Sequence, residues 1–251
     1  MRWYFGLVVE TSVRFLNSKN KKMQKQNLIL LHGALGSLKS FEHLIPHLSK
    51  DFNVIAPDLK WHGKRSQTDS DFSMLDLVAD FEYLLQNENI QSAHVFGFSM
   101  GGYVALSLAL KKPELFKSIM TLGTKLDWRP EQAEKEIKML DVKKIQEKVP
   151  QFAQYLEAIH GKNWIELCQQ TVNMMLDLGS NPILTKENIS TIELPIRLCL
   201  GDQDQMVSLE ETTDFYRALS KGELQVLPNC MHPIEKVNNE FLAQSIINFS
   251  K

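Results

Sequence analysis

Short apolar runs recur along the chain, each closed by glycine, proline or a charged residue. They stand at Asn27-Leu28-Ile29-Leu30-Leu31, at Asn53 to Asp58 around Val54-Ile55-Ala56, at Ala93 to Phe98, at Phe116 to Leu122, at Pro195 to Leu200 and at Glu223 to Leu227. Runs of this length, without sustained apolar–polar alternation, suit strands buried on both faces. Between them the apolar spacing turns helical. Phe41 to Leu48 predicts one helix, and Leu75 to Leu85 an amphipathic one with Leu75, Val78, Ala79 and Tyr83 facing inward. Gly102 to Leu110 is apolar all round and predicts a buried helix, and Phe241 to Phe249 predicts a closing helix. Strands alternating with helices imply an α/β fold, a mostly parallel central sheet with helices on both faces.

The rhythm breaks over residues 130–180, which hold no strand-like run. Glu131 to Lys148 is dense in charges of both signs and reads as a solvated helix face, and Trp164 to Leu178 reads as a partly apolar helix. This block is an insertion between the fourth and fifth strand-like runs. At the other end, the apolar part of Met1 to Glu10 is short, is interrupted by Glu10 and is followed by no small-residue cleavage site. It reads as a strand or surface extension rather than a signal peptide. Met23 stands just before the first core strand, so residues 1–22 are expected to be peripheral.

Composition narrows the picture. A chain of 251 residues with 43% hydrophobic and 23% charged residues can bury a substantial core. No apolar run is long enough to span a bilayer. A formal net charge of −2 and the lack of a basic stripe argue against nucleic acid or a membrane surface as partner. The three cysteines, Cys168, Cys199 and Cys230, form neither a disulfide framework nor a zinc motif and fit reduced thiols in the cytoplasm. Cys199 falls in a core strand, and Cys230 lies close to His232.

The candidate chemistry begins at Gly97-Phe98-Ser99-Met100-Gly101-Gly102, which follows an apolar strand and opens an apolar helix. That context is the layout of a nucleophile elbow, a tight strand-to-helix turn that raises a serine hydroxyl into a cleft. Serine needs a neighbouring base. Of the seven histidines, His232 lies in the loop after the last strand, on the sheet edge where the elbow also lies. His94 reads as a packed strand residue, His43, His47 and His160 as surface residues of helices, and His32 and His62 as loop-holding residues. The base needs an acid. Asp202 and Asp204 both follow a buried strand, and position alone does not separate them. Oxyanion donors are expected from the amide of Met100 and from the His32-Gly33-Ala34-Leu35-Gly36 loop, Ala34 first and Leu35 second.

The order Ser99, Asp204, His232, with His32-Gly33 upstream, resembles the α/β-hydrolase superfamily from about Asn27 to the C-terminus. Asp58-Leu59-Lys60-Trp61-His62-Gly63-Lys64-Arg65-Ser66 is similar to the family's Asp-x-x-Gly-His-Gly-x-Ser loop, with Trp61 in place of a glycine and one extra residue before Ser66. Gly201-x-x-Asp204-x-x-Val207 matches the family's acid motif, so the resemblance selects Asp204. Phe98 replaces the frequent histidine before the nucleophile. The resemblance implies residues 1–124 and 191–251 as the hydrolase core and 125–190 as a helical cap.

These features imply a cytoplasmic serine hydrolase, carboxylesterase-like, acting on a small ester, thioester or lactone. The expected catalytic residues are Ser99, Asp204 and His232, with Ala34 and Met100 as oxyanion donors and no cofactor or metal. Substrate contacts are expected from Leu35, Tyr103, Trp128, Trp164 and Met175, and Met174 and Leu176 extend the same apolar wall. Arg65 and Arg129 are the available partners for a substrate carboxylate. The partner is a small-molecule substrate, with no nucleic acid and no membrane, and the chain is a monomer or homodimer. The same triad also serves lyases and carbon–carbon bond hydrolases, such as family members in menaquinone biosynthesis, and non-catalytic ligand receptors. In the menaquinone enzymes an arginine often follows the nucleophile's glycines, where this chain has Tyr103.

Overall fold

A computed structural model describes residues 12–14, 25–66 and 72–251, with side chains from residue 25 onward. Most of the expected extension 1–22, and the end of the polar loop 59–71, lie outside the described residues. Seven strands are described: β1 (Ser12–Arg14), β2 (Asn27–Leu31), β3 (Asn53–Pro57), β4 (Ala93–Phe98), β5 (Phe116–Leu122), β6 (Ile196–Gly201) and β7 (Gly222–Leu227). They form one sheet in the order β1-β3-β2-β4-β5-β6-β7. β1 pairs antiparallel with β3 at one edge, and every other pairing is parallel.

The helices are α1 (Ile45–Leu48), α2 (Met74–Asn87), α3 (Met100–Lys111), α4 (Pro130–Glu136), α5 (Val142–Lys148), α6 (Pro150–His160), α7 (Trp164–Ser180), α8 (Lys186–Ile189), α9 (Leu209–Ala218) and α10 (Asn239–Phe249). Successive strand residues feed two different cores, because side chains alternate across a strand. Ile29, Leu31, Val95 and Ile119 pack with α2 and α3 on one face. Leu28, Leu30, Phe96 and Met120 pack with Phe41 and α10 on the other. Both faces being covered, nearly every strand position must be apolar, which is why the runs do not alternate.

Two expected helices differ in detail. The helix over 41–48 is split into a 3₁₀ turn at Leu38–Phe41 and a short α1, because Pro46 in the first turn of α1 has no N–H to donate backward. In α2 the buried stripe is Met74, Leu77, Val78, Phe81 and Leu85. Of the expected inward positions only Val78 is correct. Leu75 is 52% exposed, Tyr83 66%, and Ala79 also faces out. Ser73 caps the helix by accepting the Asp76 amide, which starts it at Met74, and the bulkier Phe81 and Leu85 take the core side.

Between β5 and β6 the chain runs through α4 to α8. Leu156, Trp164, Leu167 and Leu178 of this stretch join the same apolar core as the sheet and α3. Its charged residues mostly face solvent, as their pattern implies, but Glu136 is buried and stands 3.6 Å from Lys125. No helix among the described residues is long and apolar enough to cross a membrane.

Candidate active site

β4 ends at Phe98, and Ser99 turns the chain into α3 with φ 50° and ψ −117°. A non-glycine residue in this region carries strain that the surroundings must hold. Here the Ser99 amide donates to the Leu122 carbonyl at 2.9 Å, and the Ser99 carbonyl accepts from Gly102 N and Thr124 Oγ1. The turn is possible only with glycine beside it. A Cβ on Gly97 would sit 2.4 Å from Gly102 Cα, and one on Gly101 would sit 2.2 Å from the Leu31 carbonyl oxygen. Met100 opens α3, whose first-turn amides lack helical acceptors and carry the positive end of the helix dipole.

The loops after β6 and β7 bring Asp204 and His232 to this edge. His232 Nδ1–H donates to Asp204 Oδ2 at 2.8 Å. Asp204 Oδ1 accepts the amides of Met206 and Val207 at 2.8 and 2.9 Å. Burial opposes ionisation of this carboxyl, but the His232 contact and the two amides outweigh it and hold its pKa below the usual range. Asp202, which position alone leaves equivalent, does other work: its Oδ1 accepts the Cys230 amide at 3.0 Å and ties the two loops together. With Nδ1–H committed to Asp204, His232 Nε2 is the free acceptor nitrogen. The Phe98 ring packs 5.3 Å from the imidazole, centroid to centroid, and so braces the His232 ring.

The expected oxyanion loop turns at Gly33, whose carbonyl accepts the Gly36 amide at 3.1 Å, and Leu35 sits at φ 57°. Three buried histidines hold it. His32 Nδ1–H donates to the Gly33 carbonyl, and its Nε2 accepts the Leu59 amide. His160 Nε2–H donates to the Leu35 carbonyl at 2.9 Å, and its Nδ1 accepts the Gly63 amide at 2.9 Å. His62 lies between them, its ring tilted to that of His32 at 5.0 Å and edge-on to that of His160 at 5.7 Å. His32 and His62 hold loops as expected, and His94, bonded to Ser118 Oγ, is a packed strand residue. His160 is not at the surface: it is 2% exposed. The loops that bury it, around Leu35 and Gly63, lie about a hundred residues upstream, where no local pattern reveals them. Burial lowers the pKa of all three, that of His32 to about 4.

Ser99, His232, Met100 and Ala34 line one narrow cleft. Met74, Met174, Met175, Leu178 and Met206 give it apolar walls, with Tyr103 and Trp128 beside them. Of the expected substrate contacts, Tyr103, Trp128 and Met175 therefore line the cleft. Leu35 and Trp164 do not; both are buried core residues. Leu176 is 39% exposed, one step round α7 from the methionines that face in. The Tyr103 hydroxyl accepts the Ile183 and Leu184 amides, fixing the chain before α8, and burial raises its pKa to about 12. Arg65 and Arg129 are committed to Asp80 and Asp127.

Lys125 and Glu136 also line the cleft, and neither is evident in the sequence. Lys125 Nζ lies 3.6 Å from Glu136 and 3.5 Å from Glu211, whose Oε1 accepts the Leu126 and Asp127 amides. The three cysteines are unpaired and buried; Cys230 does not line the cleft, and burial raises its thiol pKa.

Residues 26–178 match the family model described as alpha/beta hydrolase fold. Over 87 residues the chain is 44% identical to the magnesium-chelatase 30 kDa subunit of Rhodobacter capsulatus, a match spanning 34% of this chain and only 31% of that protein. The hydrolase YugF of Bacillus subtilis is 24% identical over 262 aligned positions, covering 90% of each chain. Among solved structures, a carboxylesterase of Nitrososphaera gargenis superposes with a TM-score of 0.76 at 18% identity, covering 95% of this chain and 94% of that one.

Proposed function

From the premise that this chain belongs to the alpha/beta hydrolase fold family, we propose that it is a serine hydrolase of the carboxylesterase type. Its substrate is a small carboxylic ester, thioester or lactone, cleaved through an acyl-enzyme on Ser99. The observation that carries this reading is that His232, hydrogen-bonded to Asp204, lines the same cleft as Ser99 at the tip of a strained turn.

His232 Nε2 takes the Ser99 hydroxyl proton as Oγ attacks the substrate carbonyl. The Met100 and Ala34 amides stabilise the oxyanion that forms. His232 then gives the proton to the leaving group, and water attacks the acyl-enzyme by the same route. Asp204 keeps Nδ1–H in place and stabilises the imidazolium. Residues 125–190 act as a cap over a core of 1–124 and 191–251, a division supported by the α7 methionines that wall the cleft. The buried, unpaired cysteines fit a cytoplasmic location.

A lyase or carbon–carbon bond hydrolase acting on an anionic substrate is the weaker reading. It needs an uncommitted cation in the cleft, whereas Lys125 stands between two carboxylates and Arg65 and Arg129 have partners elsewhere. Ser99→Ala tests the mechanism. It is expected to abolish both p-nitrophenyl ester turnover and labelling by a fluorophosphonate probe, with the melting temperature retained. Full turnover by that variant would refute it, and an intact wild-type protein that neither labels nor turns over would favour a ligand receptor.

A further inference from the structure

Trp128 lies between β5 and α4, is 9% exposed and lines the cleft with Ser99. Its indole Nε1–H is buried and has no acceptor among the described residues. A buried indole N–H nearly always has a partner, because leaving it unpaired forfeits a hydrogen bond to water. The protein does not supply one here. The neighbouring walls, Met74, Met174, Met175 and Leu178, are apolar. The nearby carboxylates are committed, Glu136 to Lys125, and Glu211 to Lys125 and two backbone amides.

Resting on the esterase reading, we propose that Trp128 determines specificity by donating its indole N–H to an acceptor oxygen carried by the substrate. The preferred substrates are then neutral esters whose otherwise apolar chain bears an ether or carbonyl oxygen away from the scissile bond. Two effects combine. An acceptor oxygen brought against the indole makes the hydrogen bond that the free protein leaves unmade, whereas a plain alkyl chain leaves it unmade. A carboxylate acceptor is disfavoured as well, because the Lys125, Glu136 and Glu211 group carries one excess negative charge beside the cleft.

The test compares p-nitrophenyl hexanoate with the three isosteres in which a methylene at acyl position 3, 4 or 5 is replaced by oxygen. A parallel series places the oxygen in the alcohol of alkyl hexanoates. Each kcat/KM is divided by that ester's hydroxide-catalysed rate, which removes intrinsic reactivity. In the wild type at least one ether ester is expected to exceed its hydrocarbon parent by about fivefold or more, the scale of one hydrogen bond. Trp128→Phe keeps a ring and removes the donor. Within that variant the ratio of kcat/KM for the ether ester to that for its parent should fall by about fivefold to tenfold, with fluorophosphonate labelling of Ser99 retained as the check that the site is folded.

Independently of that variant's folding, the ¹⁵N–¹H indole signal of Trp128 in the Ser99→Ala protein should move downfield on adding the preferred ether ester and not on adding its parent. The proposal is overturned if no ether ester gains in the wild type, if Trp128→Phe keeps the preference, or if the indole signal ignores the ether oxygen. Those results leave the hydrolase reading standing so long as the parent esters are turned over and Ser99 labels. Loss of both turnover and labelling in the wild type overturns the two together.

Discussion

Ser99, Asp204 and His232 owe their proposed roles to very local constraints. Asp202 and Asp204 are chemically identical and two residues apart, yet one carboxylate meets His232 and the other a backbone amide. Their substitutions should therefore separate cleanly. Asp204→Asn is expected to lower kcat by about 10³- to 10⁴-fold, because an amide no longer holds the imidazole in the required tautomer. Asp202→Ala is expected to keep kcat within a fewfold and to lower the melting temperature by loosening the Cys230 loop. Ester kinetics and thermal melts on the two variants check this, and equal losses of kcat would contradict the assignment. The elbow was legible at this scale because a strained turn demands glycine at fixed offsets. Position alone left the choice between the aspartates open, since two residues in one loop differ only in which way the loop turns them; the resemblance of Gly201-x-x-Asp204-x-x-Val207 to the family's acid motif selected Asp204, the one that meets His232.

At the scale of elements, the first β–α loop is positioned by α6. His160, at the C-terminal end of that helix, bridges Leu35 and Gly63 with its two ring nitrogens. His160→Phe leaves a buried carbonyl and a buried amide unpaired, at a cost of about 2–4 kcal/mol. It should lower kcat about tenfold with KM nearly unchanged, because the Ala34 amide loses its support and the apolar cleft does not. His160→Gln restores one donor and one acceptor and should recover part of kcat. Melting curves alongside the kinetics distinguish this from simple unfolding: a kcat untouched in folded His160→Phe would remove His160 from the positioning role. Strand placement was legible because both-face burial leaves continuous apolar runs. Helix phase was less so: α2 offers Leu75 and Tyr83 as well as Met74 and Phe81, and the cap at Ser73 together with packing decides which stripe is buried.

For the whole molecule, the buried histidine cluster couples folding to pH. His32, His62 and His160 are neutral in the fold and have lowered pKa values, whereas in the unfolded chain they titrate near the ordinary value of 6.5. Below that value the unfolded state binds more protons, so stability falls as pH falls. For His32 alone the window runs from about 6.5 to about 4 and contributes roughly 2–3 kcal/mol. Asp204, with its pKa lowered, adds stability that is lost only at more acidic pH and does not shape this window. The melting temperature should drop by about 5–10 °C between pH 7 and pH 4.5. Calorimetry checks this, and a flat profile would show that the cluster accepts protons within the native state.

The division between sequence and tertiary structure follows from the range of each interaction. The sequence by itself determined the alternating α/β architecture and the elbow turn, because each depends on spacing within one element or one turn, and it offered Ser99, Asp204 and His232 as the proposed nucleophile, acid and base. It also marked Trp128 and Met175 as candidates for the substrate wall. Only the tertiary structure decided that Trp164 and Leu35 pack into the core, that Leu176 faces out, and that Lys125 and Glu136 border the cleft. It alone placed His160 beneath the first loop and left the indole of Trp128 without an acceptor. Those facts depend on what a side chain meets from residues tens or hundreds of positions away, and no periodicity within a single helix or strand encodes such a meeting.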